Sequence, residues 1–388
     1  MSLNIVNHDN ETINFDMEDV DTSFVNALRR LVLSDYETIG FNTDEYLNSD
    51  LKIIDNTSSL HNEFILHRFG LVPINIEDVN TFYNSKYTFS LRKENTTTEM
   101  ISVTTEDFKV INTETNEEEP SINFFPPNKN TGEYILLLKL KSNPNNKGEK
   151  INIEGKASRS SGNKNARYSP VSCIYYRNVQ DPDKIESGYK NYLSYNKIEP
   201  SDEIRKRFLL EEGERHFYTD DNGEPNRFHF YIESVGVMKP HLILKGVLTI
   251  LKQKLLRFKN NVTKIITEGI TMDDVEISES LDTMKAYSII INNETHTLGN
   301  LLQFYISKLH DDNIKFVGYK NPHPLKNLIE IKLAPNEHTL TELNIIISET
   351  CDHLINIIDN FKTDVDTQLN IKTDLVIKKK RSKKKPLE

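Results

Sequence analysis

The sequence predicts an α+β chain of two similar modules, each a small antiparallel sheet with amphipathic helices, with a β-rich domain inserted in the first. Three observations carry this expectation. Apolar residues recur at helical spacing near both ends of the chain, while residues 44–200 break into short alternating runs. The order strand, amphipathic helix, strands, long amphipathic helix also occurs twice, a repeat of architecture rather than of sequence, and such a duplication predicts that the halves pack against each other.

The chain opens on strand-like Ile5–Val6 and Ile13–Phe15 around a polar turn. Phe24, Ala27, Leu28, Leu31 and Val32 then recur at the spacing of a helix with one buried stripe, over about residues 22–35, with Asp21 or Thr22 placed to cap it. An extended stretch from Thr38 to Phe41 follows. Runs such as LKII, KYTFSL, MISVTT, EYILLLKLK and VSCIYY, broken by Asn, Pro and Gly, make up the insert, whose Glu114–Glu119 stretch and SNPNNKGEK segment read as solvated loops.

Helical periodicity returns after the strand FHFYIESVGV. Ile243, Val247, Ile250, Leu251, Leu255 and Phe258 share one face, and Lys245, Lys252 and Lys259 lie elsewhere on the wheel. A low-hydrophobicity connection leads to the strand AYSIII, a turn at Asn292 and Asn293, and a helix with Leu298, Leu301, Leu302, Tyr305, Ile306 and Leu309 on one side, capped by Thr295 or Thr297. Strands IKFVGYK and LIEIKLA and a long helix with Leu343, Ile347, Thr350, Leu354, Ile358 and Phe361 complete the second copy. The expected domains are 1–43 with 201–265, the insert 44–200, a linker 266–285, a second module 286–365 and a basic tail 366–388. Gly299 sits inside a helix, where Gly costs roughly 1 kcal/mol relative to Ala, and close helix–helix approach is the expected reason.

Composition narrows the function classes. With 37% hydrophobic and 27% charged residues and no apolar run of spanning length, a membrane class is not expected. The N-terminal MSLNIVNHDNETINF lacks the basic-then-apolar order of a secretory signal, so secretion is not expected either. Cys173 and Cys351 lie far apart and outside any Cys/His cluster, so neither a disulfide nor zinc is expected. Net charge is −10 although seven of the eight residues from Lys378 to Lys385 are basic. An acidic body with a basic tail does not fit DNA binding across a broad face. The tail reads as a solvated segment, a nuclear-import signal or a weak nucleic-acid contact.

Catalytic motifs fall short. The nearest approach to a phosphate-cradling loop, Gly148 to Lys156, has the wrong glycine spacing and is followed by Ala157. Asp19 and Asp21, Asp181 and Asp183, and Asp364 and Asp366 form pairs that never extend to a third carboxylate, and they read as caps and turns. YTDDNGEPN lacks calcium-loop spacing, and His296 and His323 have no evident partner.

The strings NALRRLVLSDYETIGF and HNEFILHRFGLVPI, followed by GKASRSSGNKNARYSPVSCIYY and FHFYIESVGVMKPHLILKGVLTIL, resemble in order the signature segments of alpha-type RNA polymerase subunits, the bacterial alpha chain and its D-like or third-largest relatives. NETHTLGNLLQFYISK and IKFVGYKNPHPLKNLIEIKL resemble the smaller, L-like or eleventh, subunit. A fused pair of this kind resembles polymerases of large nucleocytoplasmic DNA viruses. Two departures stand out: the cysteine-rich zinc loop or iron–sulfur insertion of some relatives has no counterpart, and Tyr168 stands where the family usually has Trp, with its His also missing.

The resemblance implies a non-catalytic assembly platform for a DNA-directed RNA polymerase. Its partners would be the largest and second-largest subunits and a small alpha-associated subunit, with DNA reached only through the complex. No cofactor is expected in this chain, the catalytic magnesium belonging to the large partner. Arg29 and Arg30, with the loop bearing His67 and Arg68, would touch the large subunits, guanidinium being suited to bidentate pairing; the alternative is an ion pair within the chain. Consecutive helical residues point about 100° apart, so at least one of the arginines should reach outward. Phe24, Leu28, Leu31, Val247, Leu251, Leu298, Leu301, Leu302, Tyr305, Leu354 and Ile358 would form the interface between halves. The expected location is a cytoplasmic viral factory, a virion or the nucleus. A free-standing dimerising transcription factor is the alternative function.

Overall fold

The computed structural model describes residues 1–76, 78–142, 148–280 and 285–369. The chain begins with strands β1 (Ser2–His8) and β2 (Thr12–Glu18), helix α1 (Thr22–Ser34) and strand β3 (Glu37–Gly40). Next come β4 (Leu51–Asn56), helix α2 (Asn62–Gly70), β5 (Tyr87–Glu94), β6 (Ile101–Thr104), β7 (Phe108–Asn112) and β8 (Glu117–Glu119). Strands β9 (Leu136–Leu140), β10 (Lys150–Gly155), β11 (Ser158–Ser161) and β12 (Val171–Asn178) precede helices α3 (Pro182–Asn196) and α4 (Asp202–Glu211). Strand β13 (Arg227–Ser234) leads into the long helix α5 (Pro240–Glu268). The remainder is β14 (Val275–Glu279), β15 (Tyr287–Asn292), α6 (His296–His310), β16 (Ile314–Lys320), β17 (Leu328–Pro335) and a second long helix, α7 (Leu340–Gln368).

These elements fall into two compact units. One comprises residues 1–31, 174–232 and the described residues between 244 and 369, and holds both repeats. Its two four-stranded sheets have the orders β1-β2-β13-β12 and β14-β15-β17-β16, so each first strand is an edge and each short helix follows the second strand. Alternation sets the buried faces: Ile13, Phe15 and Met17 of β2 and Phe228, Phe230 and Ile232 of β13 are buried, as are Ile289 and Ile291 of β15 and Ile329, Ile331 and Leu333 of β17. Phe15 stacks on Phe230 with ring centroids 5.0 Å apart.

The other unit comprises residues 32–173 and 233–243. It contains the antiparallel sheet β4-β10-β5-β7-β8 and the two-stranded pairs β3–β11 and β6–β9. Its core is aromatic. Phe89 meets Phe41 edge-on at 5.2 Å, and Phe108 stacks on Phe125 at 4.9 Å, with Phe69 and Phe124 closing the cluster. Tyr168, at the position of the expected Trp, is buried here, its carbonyl accepting from Thr38 Oγ1 at 2.8 Å.

Several sequence expectations change. Residues 62–70, expected as a loop, form α2, and the stretch expected to be β-rich also carries α3. The span 266–285 contains β14, paired antiparallel with β15. Part of the acidic stretch forms β8, a short charged edge strand on β7. Gly299 is approached by a sheet rather than a helix: a Cβ there would lie 2.6 Å from Tyr319 Cδ2 and 3.1 Å from Ile329 Cδ1. The lysine-rich tail 378–385 and residues 143–147 lie outside the described residues.

Candidate assembly interface

The two short helices run in opposite directions and are tied at both ends. Thr295 caps α6, accepting from the Thr297 amide, and the Thr297 hydroxyl accepts from Arg30 Nε at 2.8 Å. At the far end Lys308 donates to Asp21 Oδ1 at 2.9 Å, and Asp21 is almost fully buried. Between the ties, Phe24 of α1 packs against Phe361 of α7 at 5.6 Å, and Tyr305 of α6 lies beside His353 of α7 at 5.9 Å. Burial, followed by the nearby Asp21 charge, holds the Tyr305 phenol well above its ordinary range. All eleven interface candidates, Phe24, Leu28, Leu31, Val247, Leu251, Leu298, Leu301, Leu302, Tyr305, Leu354 and Ile358, are buried.

The long helices also run antiparallel. Lys252 Nζ meets Asp359 at 2.7 Å, Lys259 meets Asp352 at 2.7 Å, and Lys245 pairs with Asp366. Lys362 donates to Thr249 Oγ1 at 3.0 Å in the same register. At its C-terminal end α7 covers the free edge of β1: the Leu3 amide donates to Asp364 Oδ2 at 3.1 Å and the Ile5 amide to Gln368 Oε1 at 2.6 Å. These side chains supply the acceptors that a neighbouring strand would otherwise provide.

Of the expected partner-facing arginines, Arg30 is therefore bound to Thr297, and Arg29 donates to Asn26 Oδ1, one turn back, at 3.0 Å. Both are half-buried. In the other unit His67 and Arg68 are exposed on α2, but Arg68 holds the Leu137 and Leu136 carbonyls at 2.7 and 3.0 Å, which fastens α2 to β9. Beside them is an open hollow lined by Tyr46, Glu63, Phe64 and His67, with Phe64 69% exposed. Its wall is set by Arg167, nearly buried, which donates to the Phe41 carbonyl at 3.0 Å and Thr43 Oγ1 at 2.8 Å and pairs with Asp44. A side chain at Gly70 would collide with that guanidinium.

The RNA polymerase Rpb3/Rpb11 dimerisation domain matches this sequence twice, over residues 14–255 and again over 286–364. The chain belongs to that family. It is 26% identical over 302 residues to a conjugation stage-specific protein of Tetrahymena thermophila, covering 66% of this chain and 93% of the relative. It is also 26% identical over 301 residues to the DNA-directed RNA polymerases I and III subunit RPAC1 of Saccharomyces cerevisiae, covering 66% of this chain and 86% of the relative. A probable DNA-directed RNA polymerase II subunit RPB11 of Caenorhabditis briggsae is 40% identical over 72 residues, which are 18% of this chain and 57% of that protein.

Within this Rpb3/Rpb11-type chain the carboxylates expected as caps and turns divide. Asp181 caps α3, accepting from the Asp183 and Lys184 amides, whereas Asp21, Asp364 and Asp366 join parts of the fold far apart in sequence. The partners of those carboxylates were not readable beforehand, since a lysine 287 residues away carries no local signal. Arg167 and Lys308 were missed for the same reason. His323 spends Nδ1 on its own turn, accepting from the Leu325 amide at 3.1 Å.

Proposed function

We propose that this chain is a non-catalytic component of a multisubunit DNA-directed RNA polymerase and that it supplies both members of the Rpb3/Rpb11-type pair in one polypeptide. The carrying observation is that both matched stretches occur in one chain and that elements from each interlock in one compact unit. In this reading residues 1–43 with 201–265, joined by β12 and the stretch up to residue 200, form one module, 286–365 the other, and the remainder of 44–200 the inserted domain. Each module's apolar stripe is covered by the other, and covalent connection holds the halves at an effective concentration of about the millimolar range.

The pair then acts as a platform that docks the largest and second-largest subunits, with a small alpha-associated subunit alongside. Nucleotide addition and its magnesium belong to the large partners, no cofactor is held by this chain, and DNA is met only through the assembled enzyme. Arg29 and the exposed α2 face around Phe64 and His67 are the contact candidates. Arg30 and Arg68 act mainly within the chain, because their guanidinium groups already hold Thr297 and the β9 carbonyls. Fusion of the pair fits transcription by a large nucleocytoplasmic DNA virus, in a cytoplasmic factory, a virion or the nucleus. Among the described residues no helix is long and apolar enough to cross a membrane.

The test is native purification of the tagged full chain beside an Arg29→Ala, His67→Ala variant, with co-purifying proteins identified by mass spectrometry. Large polymerase subunits are expected with the intact chain and depleted with the variant. Their absence from both samples would overturn the platform.

A further inference from the structure

The ion pairs between α5 and α7 follow a pattern that their contribution to stability does not explain. Lys245, Lys252 and Lys259 recur every seven residues on one helix, Asp352, Asp359 and Asp366 recur every seven on the other, and each lysine meets one aspartate. Every side chain in the ladder keeps 22–56% of its surface exposed. Pairs so open to water are screened and individually weak.

Symmetry makes the charges informative. The two helices have the same length, 29 residues, and follow the same sheet order, so Lys252 occupies in α5 the place that Asp352 occupies in α7, and Lys259 likewise matches Asp359. A two-fold arrangement brings equivalent positions together in reciprocal fashion. In this chain the reciprocal contacts are Lys252 with Asp359 and Lys259 with Asp352, both 2.7 Å and both attractive. If α5 met α5 of a second copy in the same register, Lys252 of each would face Lys259 of the other. Two α7 helices would likewise oppose Asp352 and Asp359. The apolar stripes do not forbid such pairings, since both helices present Leu, Ile, Val and Phe.

We propose that Lys252, Lys259, Asp352 and Asp359 are a pairing code, which selects α5 against α7 and rejects like-with-like association between copies or with other alpha-type modules, while Lys245 with Asp366 adds attraction only in the correct pair. The inference rests on the intrachain-pair reading above and identifies what enforces it. Attraction in the correct pair is modest, and discrimination comes from repulsion in the wrong ones, as with flanking charges in coiled coils.

The test uses three full-length variants. One carries Lys245→Asp, Lys252→Asp and Lys259→Asp, the second Asp352→Lys, Asp359→Lys and Asp366→Lys, and the third all six changes. Each is unfolded, refolded alone or as an equimolar mixture of the two triples, and sized by chromatography with light scattering at low salt. The six-fold variant is expected to run as a monomer like the wild type, because its pairs are restored with reversed sign; this is the folding control. The mixed triples are expected to give a one-to-one exchanged dimer at twice the chain mass, each α5 taking the α7 of the other chain, in excess over either triple alone. A monomeric wild type whose mixed triples form no exchanged dimer overturns the code alone. A wild type that itself runs as a dimer overturns the intrachain reading and this inference with it. Neither readout depends on polymerase subunits, so failure to capture them would bear on the platform only.

Discussion

Arg30, near the end of the first short helix, donates from Nε to the hydroxyl of Thr297, the second residue of the other short helix, at 2.8 Å. The bond joins residues 267 positions apart and fixes where the helices cross. Asp21 and Lys308 do the same at the opposite end, with the carboxylate buried and the ammonium partly in water. Asp21→Ala should therefore lower stability by about 1–3 kcal/mol, less than a fully buried pair because solvent reaches Lys308. Thr297→Val, which removes the hydroxyl that accepts from Arg30 and, at a longer 3.3 Å, from Thr295, should lower it by about 0.5–1.5 kcal/mol. Urea unfolding of the two variants checks both values and their order.

Phe24 is fully buried and its ring meets Phe361 from the far end of the chain. Phe24→Ala should destabilise by about 3–5 kcal/mol, through lost transfer energy and the cavity left behind. Phe64→Ala, on the exposed face of α2, should change stability by no more than about 0.5 kcal/mol. Thermal unfolding of the pair separates a core role from a surface role.

At Gly299, alanine would improve helix propensity by about 1 kcal/mol, but the added methyl would press into the Tyr319 ring and Ile329. Overpacking typically costs about 1–3 kcal/mol, so Gly299→Ala should be net destabilising by about 1 kcal/mol. In a Tyr319→Ala background the sign should reverse, which a double-mutant cycle of unfolding free energies would reveal.

His353 has its pKa held below the ordinary 6.5, first by burial and then by Lys308, with Asp21 opposing. The unfolded chain therefore takes up this proton before the folded one as pH falls. The associated stability is in place above about pH 6.5 and is lost on acidification down through the depressed folded value. His353→Gln should flatten the acid-side fall in melting temperature while leaving the alkaline side unchanged.

The helices with long apolar stripes were legible from sequence because a 3.6-residue period sustained over several turns has few competing explanations. Phe24, Ala27, Leu28 and Leu31, and Leu298, Leu301, Leu302 and Tyr305, fall on the buried faces that this period predicts. Shorter or weaker signals misled. Asn62–Gly70 spans only nine residues and reads as a loop until Ile65, Leu66 and Phe69 are seen buried together. In α3 only Tyr189 is buried, so Ser, Gly and Asn obscure the period. Val275–Glu279 alternates too briefly to announce the strand it becomes when β15 is beside it. At the interface, Lys245, Lys252 and Lys259 were visible as an off-stripe row, but their meaning depends on an antiparallel register set by tertiary packing. Arg30 and Arg68 were placed at a partner surface, although Thr297 and the β9 carbonyls already engage them.

The most direct measurement is native mass spectrometry of the polymerase purified through this chain. One copy of the chain per enzyme, bound with the two large subunits and with no separate alpha-type polypeptide, is the expected composition. Two copies per enzyme, or one copy beside a separate Rpb11-type subunit, would contradict the claim that a single polypeptide supplies both halves of the pair.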